Sequence, residues 1–136
     1  MKRAIIDTNI LVSGLLGGKR TLPIIEALID KKFRLVISNQ QIKELLDVIR
    51  RPKFRSIIDE KDAIELFLLI QLEAEIIQPT QKVKDCRDPK DNFILECALE
   101  SSPDYIVTGD DDLLILHPYK RIQIISAAKF LKEILK

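Results

Sequence analysis

The sequence predicts an α/β fold, a three-layer sandwich whose central sheet is mostly parallel and contains about five strands. Short β-branched segments alternate with longer segments of helical periodicity along the chain. Strands that are separated by helices cross over right-handed and therefore run parallel. With 136 residues, of which 46% are apolar and 32% charged, the chain is expected to form one globular domain over residues 1–136.

Local signals justify each element in chain order. Residues 13–18 form a glycine-rich turn before the first predicted helix. Ser38 is expected to cap the second helix, with Gln41 completing a capping box. Asp88-Pro89 starts the fourth helix, and Ser126 caps the last one. The predicted strands cover residues 3–6, 35–37, 75–77, 105–108 and 122–125, and the predicted helices cover about 22–31, 39–50, 59–74, 89–102 and 127 onwards.

The helix predicted over residues 59–74 carries large apolar side chains on one face. These side chains are Ile64, Phe67, Leu68 and Leu72. The face either belongs to the core or forms a contact surface between two copies of the chain. The sequence alone allows both interpretations.

Composition argues against several classes of protein. The longest uncharged apolar run, residues 66–72, is too short to span a bilayer, and Asp7 interrupts any signal-peptide core. Cys86 and Cys97 fit neither a zinc spacing nor a disulfide framework. The protein is therefore expected in a reducing cytoplasm, with no membrane partner.

Basic residues form a cluster, although the net charge of the chain is only +1. Arg50, Arg51, Lys53 and Arg55 follow one another at the end of a predicted helix. They could bind the phosphates of a nucleic acid. They could equally be solvated at a helix C-terminus, where cations are favourable.

Acidic turns follow two of the predicted strands directly. Asp7 ends the first strand, and three consecutive aspartates, residues 110–112, follow the fourth. Ionised Asp is rarely buried without a partner, and ligands of open α/β sheets bind beyond the carboxyl ends of the strands. Glu44 and Asp91 fall near the starts of helices that could face the same crevice. Converging carboxylates of this kind favour a hard divalent cation.

Each acid also has a purely structural interpretation. Asp7 could form an Asx-turn or a helix cap, but no clear helix signal follows it. Glu44 could be solvated, although it lies beside an apolar helix face. Asp88 is well explained as an N-cap, and Asp91 could favour the helix dipole. The three consecutive aspartates repel one another unless a cation offsets their charge.

Four acidic segments stand in a recognisable order, at residues 5–9 (IIDTN), 44–46 (ELL), 87–98 (RDPKDNFILECA) and 107–114 (VTGDDDLL). Together they resemble the PIN domain ribonucleases, and in particular the PIN-family toxins of prokaryotic toxin–antitoxin pairs. The resemblance implies a central parallel sheet and an acidic centre that binds Mg²⁺ or Mn²⁺ and hydrolyses RNA. It also implies a cognate antitoxin protein as partner and a homodimer.

Carried over position by position, the resemblance implies four catalytic acids, Asp7, Glu44, Asp91 and Asp110. The implied metal ligands are Asp7, Asp91 and Asp110, with Asp112 as an additional or alternative ligand. The implied supporting polar residues are Thr8, Asn9, Asp88 and Thr108. Because a phosphodiester repels hydroxide, one or two divalent ions are expected to activate water and offset the developing charge.

Three other functions fit parts of the same sequence pattern. A haloacid-dehalogenase-like phosphatase needs a second Asp two residues after its nucleophile, where this chain has Asn9. A signal-receiver module needs paired acids and a lysine at the end of a late strand, where this chain has Ile125-Ser126. A catalytically silent PIN binding module is disfavoured because all four acids are present.

Overall fold

Five strands form a single sheet in the computed structural model, which describes residues 1–135. The strands are paired in parallel throughout, in the order β3-β2-β1-β4-β5, so that β1 lies at the centre. Their bounds are Arg3–Ile6 (β1), Arg34–Ser38 (β2), Glu75–Ile77 (β3), Tyr105–Val107 (β4) and Gln123–Ile125 (β5). The predicted α/β class and the predicted five-stranded parallel sheet are both confirmed.

Helices cover both faces of this sheet. They are Thr8–Leu15 (α1), Leu22–Ile29 (α2), Asn39–Ile49 (α3), Pro52–Arg55 (α4), Glu60–Glu73 (α5), Asn92–Ser101 (α6), Asp111–Leu114 (α7) and Ala127–Ile134 (α8). A 3₁₀ turn, Pro89–Asp91, precedes α6. All five predicted helices are present. Within residues 1–135, no helix has both the length and the apolar content that crossing a bilayer requires.

Three helices were not predicted: α1, α4 and α7. The expectation that no helix follows Asp7 was wrong, because α1 begins at the next residue. This helix buries Ile10, Leu11, Val12 and Leu15, so its apolar side chains point in several directions. A helix that is covered on most sides lacks the amphipathic period by which surface helices are detected.

The core consists of two apolar layers, one on each face of the sheet. Ile6 and Phe130 belong to the layer that α1, α2, α3, α5 and α8 cover. Ile5 and Ile106 belong to the opposite layer, together with Leu95 of α6. Neighbouring residues of β1 therefore point into different layers, as expected of a parallel sheet that is buried on both faces.

The apolar face predicted on α5 is largely exposed. Leu66 and Ile70 are the side chains that α5 buries. Ile64, Leu68 and Leu72 are 53%, 52% and 79% exposed, and they lie along one side of the helix at intervals of four residues. Of the two interpretations left open by the sequence, the core is excluded for these three side chains.

The strand register brings the acidic turns to one edge of the sheet. Ile6 is paired with Val107, and the backbone N–H of Asp7 donates to the Val107 carbonyl at 2.9 Å. Asp7 therefore stands next to Thr108, directly beyond the carboxyl ends of β1 and β4. This is the edge where open parallel sheets bind their ligands.

Candidate active site

Asp7 is held by two hydrogen bonds at the end of β1. Its Oδ1 accepts from the backbone N–H of Asn9 at 3.1 Å, and its Oδ2 accepts from the Thr108 hydroxyl at 2.7 Å. The first bond makes Asp7 the N-cap of α1, a role that the sequence analysis disfavoured. One carboxylate therefore both starts a helix and faces the acidic edge of the sheet.

Burial raises the pKa of Asp7 above its usual range. The hydrogen bonds from Thr108 and Asn9 lower it, while the negative charge of Asp110 raises it. The net effect is a raised pKa, because burial and the like charge raise it more than the two hydrogen bonds lower it. The protonated form of Asp7 is therefore more favoured than it would be in water. A cation next to Asp7 would reverse this balance.

Thr108 connects Asp7 to Asp110. Its side chain is fully buried, and its hydroxyl oxygen accepts from the backbone N–H of Asp110 at 3.0 Å while its proton goes to Asp7. Asp110 in turn caps α7, since its Oδ1 accepts from the backbone N–H of Asp112 at 2.9 Å. A chain of hydrogen bonds through Thr108 thus sets the separation of the two acids.

Asp91 stands against Asp110 at the start of α6. Burial, the adjacent Asp110 carboxyl and the charges of Asp7 and Asp88 together raise the pKa of Asp91 to about 7. Its Oδ2 is buried and has no hydrogen-bond partner among the described residues. Asp88 caps the preceding 3₁₀ turn by accepting from the backbone N–H of Lys90 at 3.1 Å, as predicted. A proton held between Asp91 and Asp110, or a cation beside them, would offset the repulsion of this pair.

Glu44 reaches the same group of acids from α3. Burial raises its pKa, Asp7 raises it further, and the Thr8 hydroxyl and Arg51 lower it. Thr8 is 1% exposed, and its hydroxyl makes no well-formed hydrogen bond within residues 1–135 despite its influence on Glu44. This second unpartnered oxygen belongs to the residue after Asp7 and is close enough to Glu44 to lower the pKa of that carboxyl.

Gln41 is a site residue that sequence reasoning assigned incorrectly. The backbone N–H of Gln41 donates to the Ser38 hydroxyl at 3.1 Å, as a capping box requires. The side chain does not return to Ser38. Instead its Nε2 donates to the carbonyl of Ile6, the residue before Asp7. Gln41 is 1% exposed and ties the start of α3, and hence Glu44, to the end of β1.

In the described part of the chain, the side chains of Asp112 and Asn9 make no hydrogen bond to the other predicted site acids. The Asp112 Oδ1 forms a 2.7 Å ion pair with Nη2 of Arg87, a residue that was not predicted to belong to the site. Asn9 contributes its backbone N–H to Asp7, and its side chain is exposed. No local signal marks Arg87, because its partner lies far along the chain on another element.

The four basic residues of the predicted cluster have different neighbours. Arg51 is near enough to Glu44 to lower the pKa of that carboxyl. Arg50 and Arg55 line a groove of about 590 Å³ between α3, α4 and α5, beside the exposed α5 side chains. The Lys53 ammonium lies 4.8 Å from the centre of the Phe54 ring. Arg51 is therefore the member of the cluster that neighbours the acids.

The donors at this edge fit a hard divalent cation. They are all oxygens, and two of them are buried without a partner. The pKa values of Asp7, Glu44 and Asp91 are each raised first by burial and further by the charge of at least one neighbouring acid. Across residues 1–135, no three Asp, Glu, His or Cys side chains are grouped closely enough to hold an ion alone. Mg²⁺ commonly takes only one or two carboxylates and completes its shell with water and substrate phosphate, so this arrangement suits it.

The fold and the site together define an α/β protein with an acidic centre beyond the carboxyl ends of a parallel sheet. The sequence pattern of the PIN domain matches residues 3–112, and the chain belongs to the PIN domain family. PIN domains are generally nucleases that act on RNA and typically require a metal. The matched region contains every acid discussed above, and the residues beyond it add β5 and α8.

The chain is also similar to the uncharacterized protein MJ1680 of Methanocaldococcus jannaschii. It is 29% identical over 120 residues, which cover 84% of this chain and 74% of the relative. Its name states no activity. This similarity therefore supports common descent and adds nothing about substrate.

Proposed function

We propose that this protein is a metal-dependent endoribonuclease whose catalytic acids are Asp7, Glu44, Asp91 and Asp110. The observation that carries the proposal is the chain of hydrogen bonds from Asp110 through Thr108 to Asp7, with the unpartnered Oδ2 of Asp91 beside it. Carboxylates that burial and mutual repulsion leave short of positive charge are typical of functional sites.

Mg²⁺ or Mn²⁺ is the proposed cofactor, with Asp7, Asp91 and Asp110 as its ligands and Asp112 as an additional or alternative ligand. Such an ion supplies a nucleophile from water and offsets the charge that develops on the phosphate. The donors proposed here are hard oxygens, which these two ions prefer over softer ligands. One domain over residues 1–136 is proposed to carry the whole site.

The remaining side chains orient the acids and the substrate. Thr108 fixes the Asp7 carboxylate through its 2.7 Å hydrogen bond, and Asp88 holds the turn that carries Asp91. Thr8 and the backbone of Asn9 lie at the start of α1, next to Asp7. Glu44 is the proposed acceptor of a proton from the attacking water, and the raised pKa of its carboxyl supports this role.

The basic residues are proposed to attract RNA. Arg51 stands beside Glu44 at the acidic edge, while Arg50, Lys53 and Arg55 continue away from it along the end of α3 and α4. Cations that flank an acidic centre draw in a polyanion which the acids alone would repel.

A physiological role as the toxin of a toxin–antitoxin pair is proposed from family resemblance alone. A cognate antitoxin is then the expected protein partner, and the cytoplasm, where Cys86 and Cys97 would stay reduced, is the expected location. A homodimer is proposed as well. The three exposed side chains along α5 support a protein contact there, since monomers seldom expose contiguous large apolar groups.

Cleavage of labelled RNA tests the proposal. The purified chain should cut single-stranded or structured RNA with Mg²⁺ or Mn²⁺ and stop on addition of EDTA. Asp7→Asn and Glu44→Gln should each lower the rate by at least about 10–100-fold, the loss that even outer partners of a metal cause. Asp47→Asn, an exposed acid on the same helix as Glu44, is the matched control and should leave the rate unchanged.

Two results would contradict the nuclease. Cleavage that persists in EDTA, or in the Asp7 variant, would point to a contaminating nuclease or to another site. Turnover of a small phosphate ester without any cleavage of RNA would favour the phosphatase alternative.

A further inference from the structure

Arg87 forms an exposed ion pair at the border of the acidic site. Its Nη2 lies 2.7 Å from Oδ1 of Asp112, and the Arg87 side chain is 62% exposed whereas that of Asp112 is 34% exposed. The backbone N–H of Asp112 donates to the Asp110 carboxylate. The guanidinium therefore contacts one proposed metal ligand, Asp112, which is hydrogen-bonded to another, Asp110, and most of the Arg87 side chain faces solvent.

Two arginines thus flank the acids from different elements. Arg51 follows α3 and influences Glu44. Arg87 precedes the 3₁₀ turn and contacts Asp112 of α7. An RNA strand that crosses the acids between these two positions would meet a cation before and after the repelling carboxylates.

We propose that Arg87 binds a backbone phosphate of RNA, leaving Asp112 as it does so; this rests on the proposed nuclease function. A guanidinium matches phosphate with two parallel hydrogen bonds, which a single contact to Asp112 does not use. Exposed ion pairs contribute little stability, so the exchange costs little. Asp112, once released, is free beside Asp110, and its role as a ligand follows the arrival of RNA.

Binding measured without metal separates this role from catalysis. Fluorescence anisotropy of a labelled single-stranded RNA in EDTA should give at least about 10-fold weaker binding for Arg87→Gln, the lower end of what one charged contact contributes. The dependence of affinity on salt should also become shallower by about 0.7 in log–log slope, the contribution of one phosphate on a single strand. Arg34→Gln, at the opposite end of β2, is the matched control and should bind as the wild type does.

The Asp112→Asn variant distinguishes a phosphate contact from mere neutralisation of Asp112. Loss of the ion pair should free Arg87 and tighten RNA binding by about 2–5-fold, and Arg87→Gln should then cost at least as much in this background as in the wild type. If Arg87→Gln has no effect on binding once Asp112 is Asn, Arg87 only offsets a carboxylate and the inference is wrong. Arg87→Lys keeps the charge but loses the two parallel N–H donors of the guanidinium, so it should bind RNA with intermediate affinity.

Cleavage by the wild type with Mn²⁺, measured on the same RNA, separates this inference from the proposed function. A wild type that cuts RNA, together with an Arg87 variant that binds normally, would overturn the inference and leave the nuclease standing. A wild type that binds but never cuts, together with weakened binding by Arg87→Gln, would overturn the nuclease and leave the phosphate contact standing.

Discussion

Asp91→Asn should make the metal-free protein more stable while abolishing its activity. In the folded chain the pKa of Asp91 is about 7, against an ordinary value of 3.8 that the unfolded chain should show. Between these two pH values the folded protein keeps a proton that the unfolded chain has lost. Rising pH therefore favours unfolding. The protonated Asp91 contributes fully to the free energy of unfolding below about pH 4, and this contribution is lost as the pH rises through about 7.

The size of the effect follows from the two pKa values. The pKa of Asp91 differs by about 3 between the folded and unfolded chain. At about 1.4 kcal/mol for each pKa unit, this difference would change the free energy of unfolding by about 4 kcal/mol if Asp91 were fully shielded from water. Asp91 is only partly buried, so solvent screening reduces this value, and we expect about 1–2 kcal/mol. For a domain of this size the melting temperature should rise by about 3–8 °C.

Thermal unfolding in EDTA at about pH 5 and about pH 8 measures this effect. Asp91→Asn should melt higher than the wild type at about pH 8 and close to it at about pH 5, where Asp91 is already protonated. Added Mn²⁺ should stabilise the wild type at about pH 8 but should have little effect on the variant. The exposed Asp47→Asn is the control. Equal shifts at both pH values, or a variant that is less stable at about pH 8, would refute the electrostatic reasoning.

Two further changes test how the site is held together. Gln41→Ala should lower the free energy of unfolding by about 1–3 kcal/mol, because the buried carbonyl of Ile6 loses its side-chain donor, whereas the exposed neighbour Gln40→Ala should change it little in urea denaturation. Thr108→Val should raise the pKa of Asp7 further and shift the acidic limb of the cleavage–pH profile to higher pH. Thr108→Ser, which keeps the hydroxyl, should restore the wild-type profile. An unchanged profile in Thr108→Val would show that the 2.7 Å hydrogen bond does not control the pKa of Asp7.

The sheet could be predicted because each strand is short, apolar and bounded by its own turn signals. The predicted residues 35–37 became Arg34–Ser38, and 75–77 became Glu75–Ile77 without change. The caps at Ser38 and Asp88 were likewise predicted, since both depend on neighbouring residues. Local information therefore sufficed for these two caps, whereas the equally local caps at Asp7 and Asp110 were not predicted, since they start the unpredicted helices α1 and α7.

Features that depend on distant partners were not visible in the sequence. Gln41 donates to Ile6, which lies 35 residues before it, and a capping box was the nearest local explanation. Arg87 pairs with Asp112 across 25 residues, so its position beside the acids appears only after folding. Helix α1 was missed for another reason, because most of its surface is buried and its apolar residues show no single face.

The acids meet because the elements that carry them are packed for reasons unrelated to charge. Asp7 is placed by the pairing of β1 with β4, and Asp110 by its role in starting α7. Asp91 is placed by α6, whose Ile94 and Leu95 are almost completely buried in one apolar layer. Repulsion between the carboxylates, about 1–2 kcal/mol for Asp91 after solvent screening, acts against anchors that bury several apolar side chains at about 1.5–3 kcal/mol each, so it is too small to displace them. The site should therefore keep its arrangement without metal. A metal ion that binds there should gain affinity because it relieves repulsion between carboxylates that the fold already holds together.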